Sequence, residues 1–338
     1  MSMTLDIAAQ QAVELPADPA PDARFRIAKR ILLRLISGAG VLWGAATLSF
    51  LGVRLAPGDT VDVLLGEQPR TPEVEAAIRA EWGLDSPAIV QYGRYLWNVA
   101  HGDFGRSYVL QRPVSEVIGS QAGPTLALTG AALLVAVVFA VVVATTSARR
   151  PRARAVANAV ELALISTPSF WLGIVLLSVF SFQWKIFPVA ANKGLSALVL
   201  PAVALGLSLG AVIAQVLRDG LERALDEPFA VTVRSWSVSE TELRLRHGLR
   251  HAALPAVTLT GWLVGGLLGG AVIVEEVFGR PGLGRVTVEA VLAQDLPVVL
   301  AVAILSATVY VVISTLVDLL YLWLDPRLRR ESGGGERR

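Results

Sequence analysis

Cysteine is absent from all 338 residues, which removes disulfides, thiolate chemistry and cysteine-based metal sites together. Any part of the chain that leaves the membrane must hold itself by packing alone. Histidine is nearly absent as well. His101, His247 and His251 all lie outside the apolar runs, so no base or ligand set stands at depth for an intramembrane hydrolase. His247 and His251 have the i, i+4 spacing of a zinc pair, but no His-Glu-x-x-His glutamate and no third ligand accompany them. The phosphate loop Gly-x-x-x-x-Gly-Lys-Ser/Thr is missing, so ATP is not held here by that device. Charge is scarce, at 17% of residues against 54% hydrophobic, and the mean hydropathy is +0.57. A chain of this length and composition is too apolar for an ordinary soluble domain.

What is present, in place of charge, is a series of long apolar runs. A span needs roughly 20 apolar residues, and five runs read directly as spans: 36–53, 125–148, 162–182, 195–217 and 252–274. A sixth, 296–324, carries one acid, Asp318. No small-residue cleavage site follows the first run, so it is expected to stay as a span. The organisation expected is a tail 1–30, a first span within 31–56, an external segment 57–124, a membrane core 125–324 and a tail 325–338.

Orientation follows from Lys and Arg. With the amino terminus inside, the inner segments hold 19 basic residues and the outer ones 9 in a greater length, so both termini are expected in the cytoplasm. Arg149, Arg150, Arg152 and Arg154 read as an anchor against anionic headgroups. Arg34 and Arg54, at the ends of the first run, read as snorkelling side chains. The net charge of +2 implies no nucleic-acid partner, because the basic residues are spread as topology signals and not gathered on one soluble face. Membrane lipid is the partner that composition demands.

The external segment is expected to form a small helical cap. Thr71-Pro72-Glu73 reads as a helix start and Gly83 as its stop, with a second helix from Pro87 to about Ala100. On the other side of the membrane a charged insert, 218–251, separates two uncharged runs. Asp226, Glu227 and Pro228 suit a helix start. Phe229, Val233 and Trp236 then fall at i, i+4 and i+7, one face of a short helix, and that face needs a partner.

Several blocks carry a resemblance. In the insert stand Phe229, Thr232, Arg234, Ser239-Glu240, His247-Gly248-Leu249-Arg250 and Leu254-Pro255. In the cap stand Ala56-Pro57-Gly58-Asp59, Trp82-Gly83-Leu84-Asp85-Ser86-Pro87, Val90-Gln91-Tyr92, His101 to Ser107 and Arg112-Pro113-Val114-Ser115. Ser166 to Gly173, Glu275 to Arg285 and Gln294-Asp295-Leu296-Pro297 complete the series. Together they resemble the permeases of ABC importers of the dipeptide/oligopeptide (and nickel) family, B-type, over about 30–330. Trp236 and Ser237 stand where that family has Lys and Gly, and Thr60 where it has Pro.

The resemblance implies an all-α integral membrane protein with six transmembrane helices in the ABC type I importer permease fold, with a helical external cap between spans 1 and 2. It implies a multi-pass protein of the bacterial cell (inner) membrane, in which the chain forms half of a conduit for peptides or similar solutes. Its partners would be a second homologous permease, two ATPase subunits and an external solute-binding protein. No cofactor is expected on this chain, ATP and Mg residing on the ATPases, and no catalysis. Permeases of nickel chelates or other solutes are similar, so the cargo stays open. A self-contained secondary transporter would more naturally show repeated halves or deep charges, and neither is seen.

Site residues follow from the same blocks. Phe229, Thr232, Val233, Arg234, Trp236 and Ser237 are expected to couple to an ATPase. Phe278, Pro281, Gly282, Leu283 and Gly284 read most simply as a tight connection, and more sharply as an outer gate meeting the binding protein. Pro168, Phe170 and Trp171 in a bent third span, with Gly265 and Gly269 in the Gly-rich stretch 261–270, are expected to shape an apolar conduit. Glu275 and Glu276 read as solvated headgroup positions at a span end, not as a site for a substrate amine. Glu161 and Asp318 read as structural acids, paired with Arg327 or an arginine of 149–154. Serine at position 237 would cost on the order of 1 kcal/mol if the turn keeps a positive φ.

Overall fold

Broken and continuous helices account for the architecture. The structure, a computed structural model, describes residues 23–55, 60–65, 69–189 and 194–324. The tails 1–22 and 325–338, the block Ala56-Pro57-Gly58-Asp59, the side chain of Asp318 and its suggested partner Arg327 lie outside the described residues. Among the described residues there are thirteen α-helices and no strands. Among the described residues five helical stretches are long and apolar enough to cross a membrane, six if one bent pair counts as a single span.

The first span lies in α1 (Ala23–Leu55), and the cap follows with α2 (Thr60–Leu65), α3 (Pro72–Trp82) and α4 (Ala88–Ala100). The boundaries of α3 are those the sequence predicts, and the cause is local. Thr71 Oγ1 accepts from Val74 N–H, and Gly83 takes φ 62° to close the other end. Tyr92 and Tyr95 of α4 pack on Phe50 of α1, with ring centroids 5.2 and 5.7 Å away. Arg34 does not snorkel: its Nη2 donates to Ser314 Oγ in the last helix.

Helix α5 (Val114–Ser147) begins inside the expected cap and runs unbroken through the second span. Its partner is α8 (Ser196–Ala224), and the two make the most extensive helix–helix contact among the described residues. Ala132, Ala136, Ala140 and Ala144 recur every fourth residue on α5, all fully buried. Opposite them lie Gly206 and Gly210. A Cβ on Gly206 would sit 2.5 Å from the Ala132 carbonyl oxygen, and one on Gly210 2.8 Å from that of Ala136. Lipid is as apolar as leucine, so burial of apolar surface drives little association between spans; close backbone approach through small residues supplies it instead.

The third span differs from its prediction as one bent helix over 162–182. It is two helices, α6 (Pro151–Ser166) and α7 (Ser169–Leu176), set at 103° to each other. Proline 168 has no N–H for the ladder and forces Thr167 into extended backbone at φ −99°, ψ 123°. Thr167 Oγ1 takes up the freed Ala163 carbonyl at 2.7 Å. From Leu177 to Gln183 the chain widens into a π-helix.

After α8, α9 (Pro228–Ser235) is followed by a short α10 (Glu240–Glu242), a π-turn Leu243–Gly248 and α11 (Leu249–Val277). From Glu240 to Val277 the helix is continuous, and α8 likewise runs through residue 224. The charged insert is therefore mostly the adjoining ends of two long helices, and only about 225–239 stands apart from them. A hairpin of α12 (Leu283–Leu292) and α13 (Leu296–Leu324) closes the chain, with α13 packing against α1 and α11.

Candidate functional site

Residues 225–239 fold back on the chain, with α9 against the π-turn Leu243–Gly248 and His251 of α11. Two of the three residues on their expected free face are covered. Val233 is 5% exposed within the core, and Phe229 stacks on His251 with ring centroids 4.2 Å apart and planes 13° from parallel. That stack also occupies one member of the sequence's His247/His251 pair. The chain itself covers Phe229 and Val233 of that face, whereas its third member, Trp236, is 64% exposed, Val231 is 67% exposed, and Thr232 and Ser235 are exposed as well. Arg234 is turned aside onto Glu240 at 2.8 Å.

The turn after α9 keeps the geometry that glycine would favour. Ser237 holds φ 56°, in the left-handed region, and its N–H reaches Arg234 O at 3.1 Å. Ser239 then caps the next helix by accepting from Glu242 N–H at 3.2 Å. Farther in, Arg244 is 7% exposed and its Nη1 donates to Thr145 O at 3.1 Å, near the end of α5. The insert is thus tied by an arginine to a carbonyl that the helix end would otherwise leave bare.

The acids and bases around it correct two expectations. The arginines of 149–154 do not all face lipid: Arg149 pairs with Asp226, and Arg154 Nη1 lies 2.7 Å from Glu222 of α8. Nor does Glu161 pair with either predicted partner. Arg218 Nη1 donates to Glu161 Oε1 at 2.7 Å and its Nη2 to Oε2 at 2.9 Å, while the same Nη2 also reaches Asn158 at 2.8 Å. A fully buried acid in the second half of α6 is held by a base in the last two turns of α8, so α6 and the insert are joined inside the protein.

At the opposite end of α11, Glu276 is exposed, but Glu275 is fully buried and not a headgroup position. Thr125 Oγ1 donates to its Oε1 at 2.6 Å, Gly284 N–H to its Oε2 at 2.8 Å, and Leu283 N–H closes the ring by donating to Thr125 Oγ1 at 2.8 Å. The glycines of this turn are there for close approach. A Cβ at Gly282 would meet the Glu275 carboxyl at 2.2 Å, and one at Gly284 would meet Val272 Cα at 2.3 Å. Phe278 is buried against Gly173 of α7. Pro281 to Gly284 form the tight connection that is their simpler reading, wrapped on a carboxylate that locks α5, α11 and α12 together.

Of the expected conduit residues, Pro168, Phe170 and Trp171 cluster at the α6–α7 break, all exposed. Gly265 does not belong with them: its Cα faces Tyr310 of α13, which a Cβ would approach to 2.5 Å. Gly269 is open, on an exposed stripe with Trp262, Gly266 and Ile273.

Residues whose roles the sequence did not announce include Asp295, Thr125 and Arg218. Asp295, 2% exposed, accepts from Ser107 Oγ and from Tyr108 N–H at 3.0 Å, fastening the cap to the start of α13. An acid just before a helix-opening Leu-Pro is an N-cap signature and would have pointed to it.

Residues 132–330 match the family described as binding-protein-dependent transport system inner membrane component. The chain is 37% identical over 301 residues to the glutathione transport system permease protein GsiC of Salmonella paratyphi A (strain ATCC 9150 / SARB42), covering 88% of this chain and 98% of that one. It is 35% identical over 309 residues to a protein of Brucella abortus (strain 2308) named as the permease of a peptide transport system, with the same coverage of each.

Proposed function

The chain belongs to the family of binding-protein-dependent transport system inner membrane components and is the permease subunit of an ABC importer; from that premise we propose that it carries peptide-like solutes and is driven through residues 225–239. It is a multi-pass inner membrane protein whose family works with ATPase and binding-protein components. In the proposed assembly a second homologous permease completes the conduit, two ATPases dock beneath, and both termini face the cytoplasm. The names of the glutathione and peptide permeases above support a peptide-like cargo.

One observation carries the coupling role. On α9 the side chains toward the protein are covered, and Val231 and Trp236, the large apolar residues turned outward, stay in water unless something covers them. Burying an aromatic side chain at an interface contributes roughly 2 kcal/mol or more. ATP binding would close the ATPases, and the movement of α9 would pass through Arg244 to α5 and through α8 to the outer face, opening the conduit outward; hydrolysis would reset it. The spans carry almost no free charge at mid-depth, so cargo would be passed on and not gripped.

Uptake by vesicles holding the full transporter tests this. Trp236→Ala and Val231→Asp are expected to lower ATP-driven uptake at least tenfold while the permease pair still copurifies. Normal uptake by both variants would remove the lever from the mechanism. Identifying the ligand that copurifies with the binding protein tests the cargo separately.

A further inference from the structure

Where the cap meets the shared end of α1 and α13, the structure leaves a cavity of about 590 Å3. Its wall carries three guanidinium groups, Arg54 from the last turn of α1, Arg79 from α3 and Arg94 from α4, against one carboxylate, Asp103. Two of the three are engaged: Arg79 binds Glu75 at 3.0 Å, and Arg54 reaches Gln91 Oε1 at 3.3 Å. Asp103 Oδ1 is taken by Gly105 N–H at 2.9 Å. Arg94 makes no ion pair or hydrogen bond among the described residues. Tyr95 Oη is buried on the same wall with no partner. Burial pushes the phenols of Tyr95 and Tyr108 up to about 12, so both stay neutral donors at physiological pH.

The height of the cavity follows from the spans. Arg54 stands just past the apolar stretch Leu32–Gly52, and Leu296, Pro297 and Leu300 of the wall open the stretch Leu296–Leu316. Both stretches end at the level where hydrocarbon gives way to headgroups. Leu48, Leu51 and Leu55, on the same end of α1, are exposed. A cationic rim above an apolar floor at this depth matches the two ends of a phospholipid.

We propose that this cavity binds an anionic phospholipid, its phosphate held by Arg54 and Arg94 with Tyr95 Oη donating, and its acyl chains descending along α1 and α13. Guanidinium suits phosphate because its fork of donors meets two oxygens at once. The bound lipid then fastens the cap to the bilayer where Asp295 fastens it to α13.

The test uses the complete transporter in mild detergent, as wild type, Arg94→Gln, Arg54→Gln/Arg94→Gln and the control Arg112→Gln, whose arginine lies in the cap outside the cavity. Native mass spectrometry counts retained phospholipid, and thermal melting is read with added phosphatidylglycerol, phosphatidylcholine or inorganic phosphate. Wild type and Arg112→Gln are expected to retain anionic phospholipid and to gain stability from phosphatidylglycerol alone. Each cavity arginine lost is expected to weaken binding on the order of tenfold. Arg94 has no partner to strand, so the Arg94→Gln chain stays folded. Unchanged lipid retention in the double variant overturns the proposal, as does an equal shift with phosphatidylcholine. A full shift with inorganic phosphate assigns the cavity to a free anion, and cross-linking from position 94 to the binding protein assigns it to that partner; either result overturns the lipid.

Discussion

Arg218 grips Glu161 with both terminal nitrogens, at 2.7 and 2.9 Å, and neither side chain exposes more than 4% of its surface. A pair so deeply buried contributes little net stability, yet losing one partner strands a charge and costs roughly 3–5 kcal/mol. Arg218→Met is therefore expected to lower the melting temperature of the purified permease sharply. Arg218→Met combined with Glu161→Gln should recover much of that loss, since no charge is left behind. Equal melting of the single and double variants would show that the pair is not coupled.

The contact between α5 and α8 makes a second, steric prediction. Gly206→Ala places a methyl group 2.5 Å from the Ala132 carbonyl oxygen, and overpacking of this kind costs about 1–3 kcal/mol. The same change at Gly266, where a Cβ meets nothing within 4 Å, should be silent. Melting of the two variants side by side decides it.

Serine at 237 holds a conformation that costs a non-glycine residue on the order of 1 kcal/mol. Ser237→Gly is expected to keep transport intact, and Ser237→Val to be worse than wild type, because a β-branched residue tolerates positive φ poorly. ATP-driven uptake in the order Gly equal to Ser, then Val, is the expected readout. If valine served as well as glycine, the turn would not matter to coupling.

Topology is open to a direct test because the chain has no cysteine. Ala76→Cys in α3 should react with an impermeant thiol reagent added from outside, and Ser235→Cys in α9 should not. The opposite pattern would invert the orientation.

What the sequence told in advance was local. Thr71, Pro72 and Gly83 bound α3 because a cap and a left-handed stop act within a few residues of themselves. The replacement of glycine by Ser237 read as the mark of a differently built turn, yet the backbone keeps the left-handed geometry there, at φ 56°. Glu161 was recognisable as an acid needing a partner, but its arginine lies 57 residues onward and nothing in the pattern of either helix names the other. Glu275 looked solvated because it closes a span; only the return of residues 282–284 over it makes it buried. Phe229, Val233 and Trp236 share a helical face in projection, yet α9 is too short for its wheel to say which side meets the rest of the chain, and His251 takes Phe229 away from the surface. The alanines at intervals of four on α5 carry no reading on their own, because their meaning requires Gly206 and Gly210 opposite.

That interval of four has a mechanical consequence. With backbone against backbone and no side-chain length between them, α5 and α8 cannot slide without driving a carbonyl into a Cα. They form one strut with the thickness of two helices. Arg244 holds one end of that strut through Thr145, and Glu275 grips the other through Thr125. A push applied to α9 would then arrive at the far side of the membrane as a tilt of the whole strut, with little lost to bending on the way.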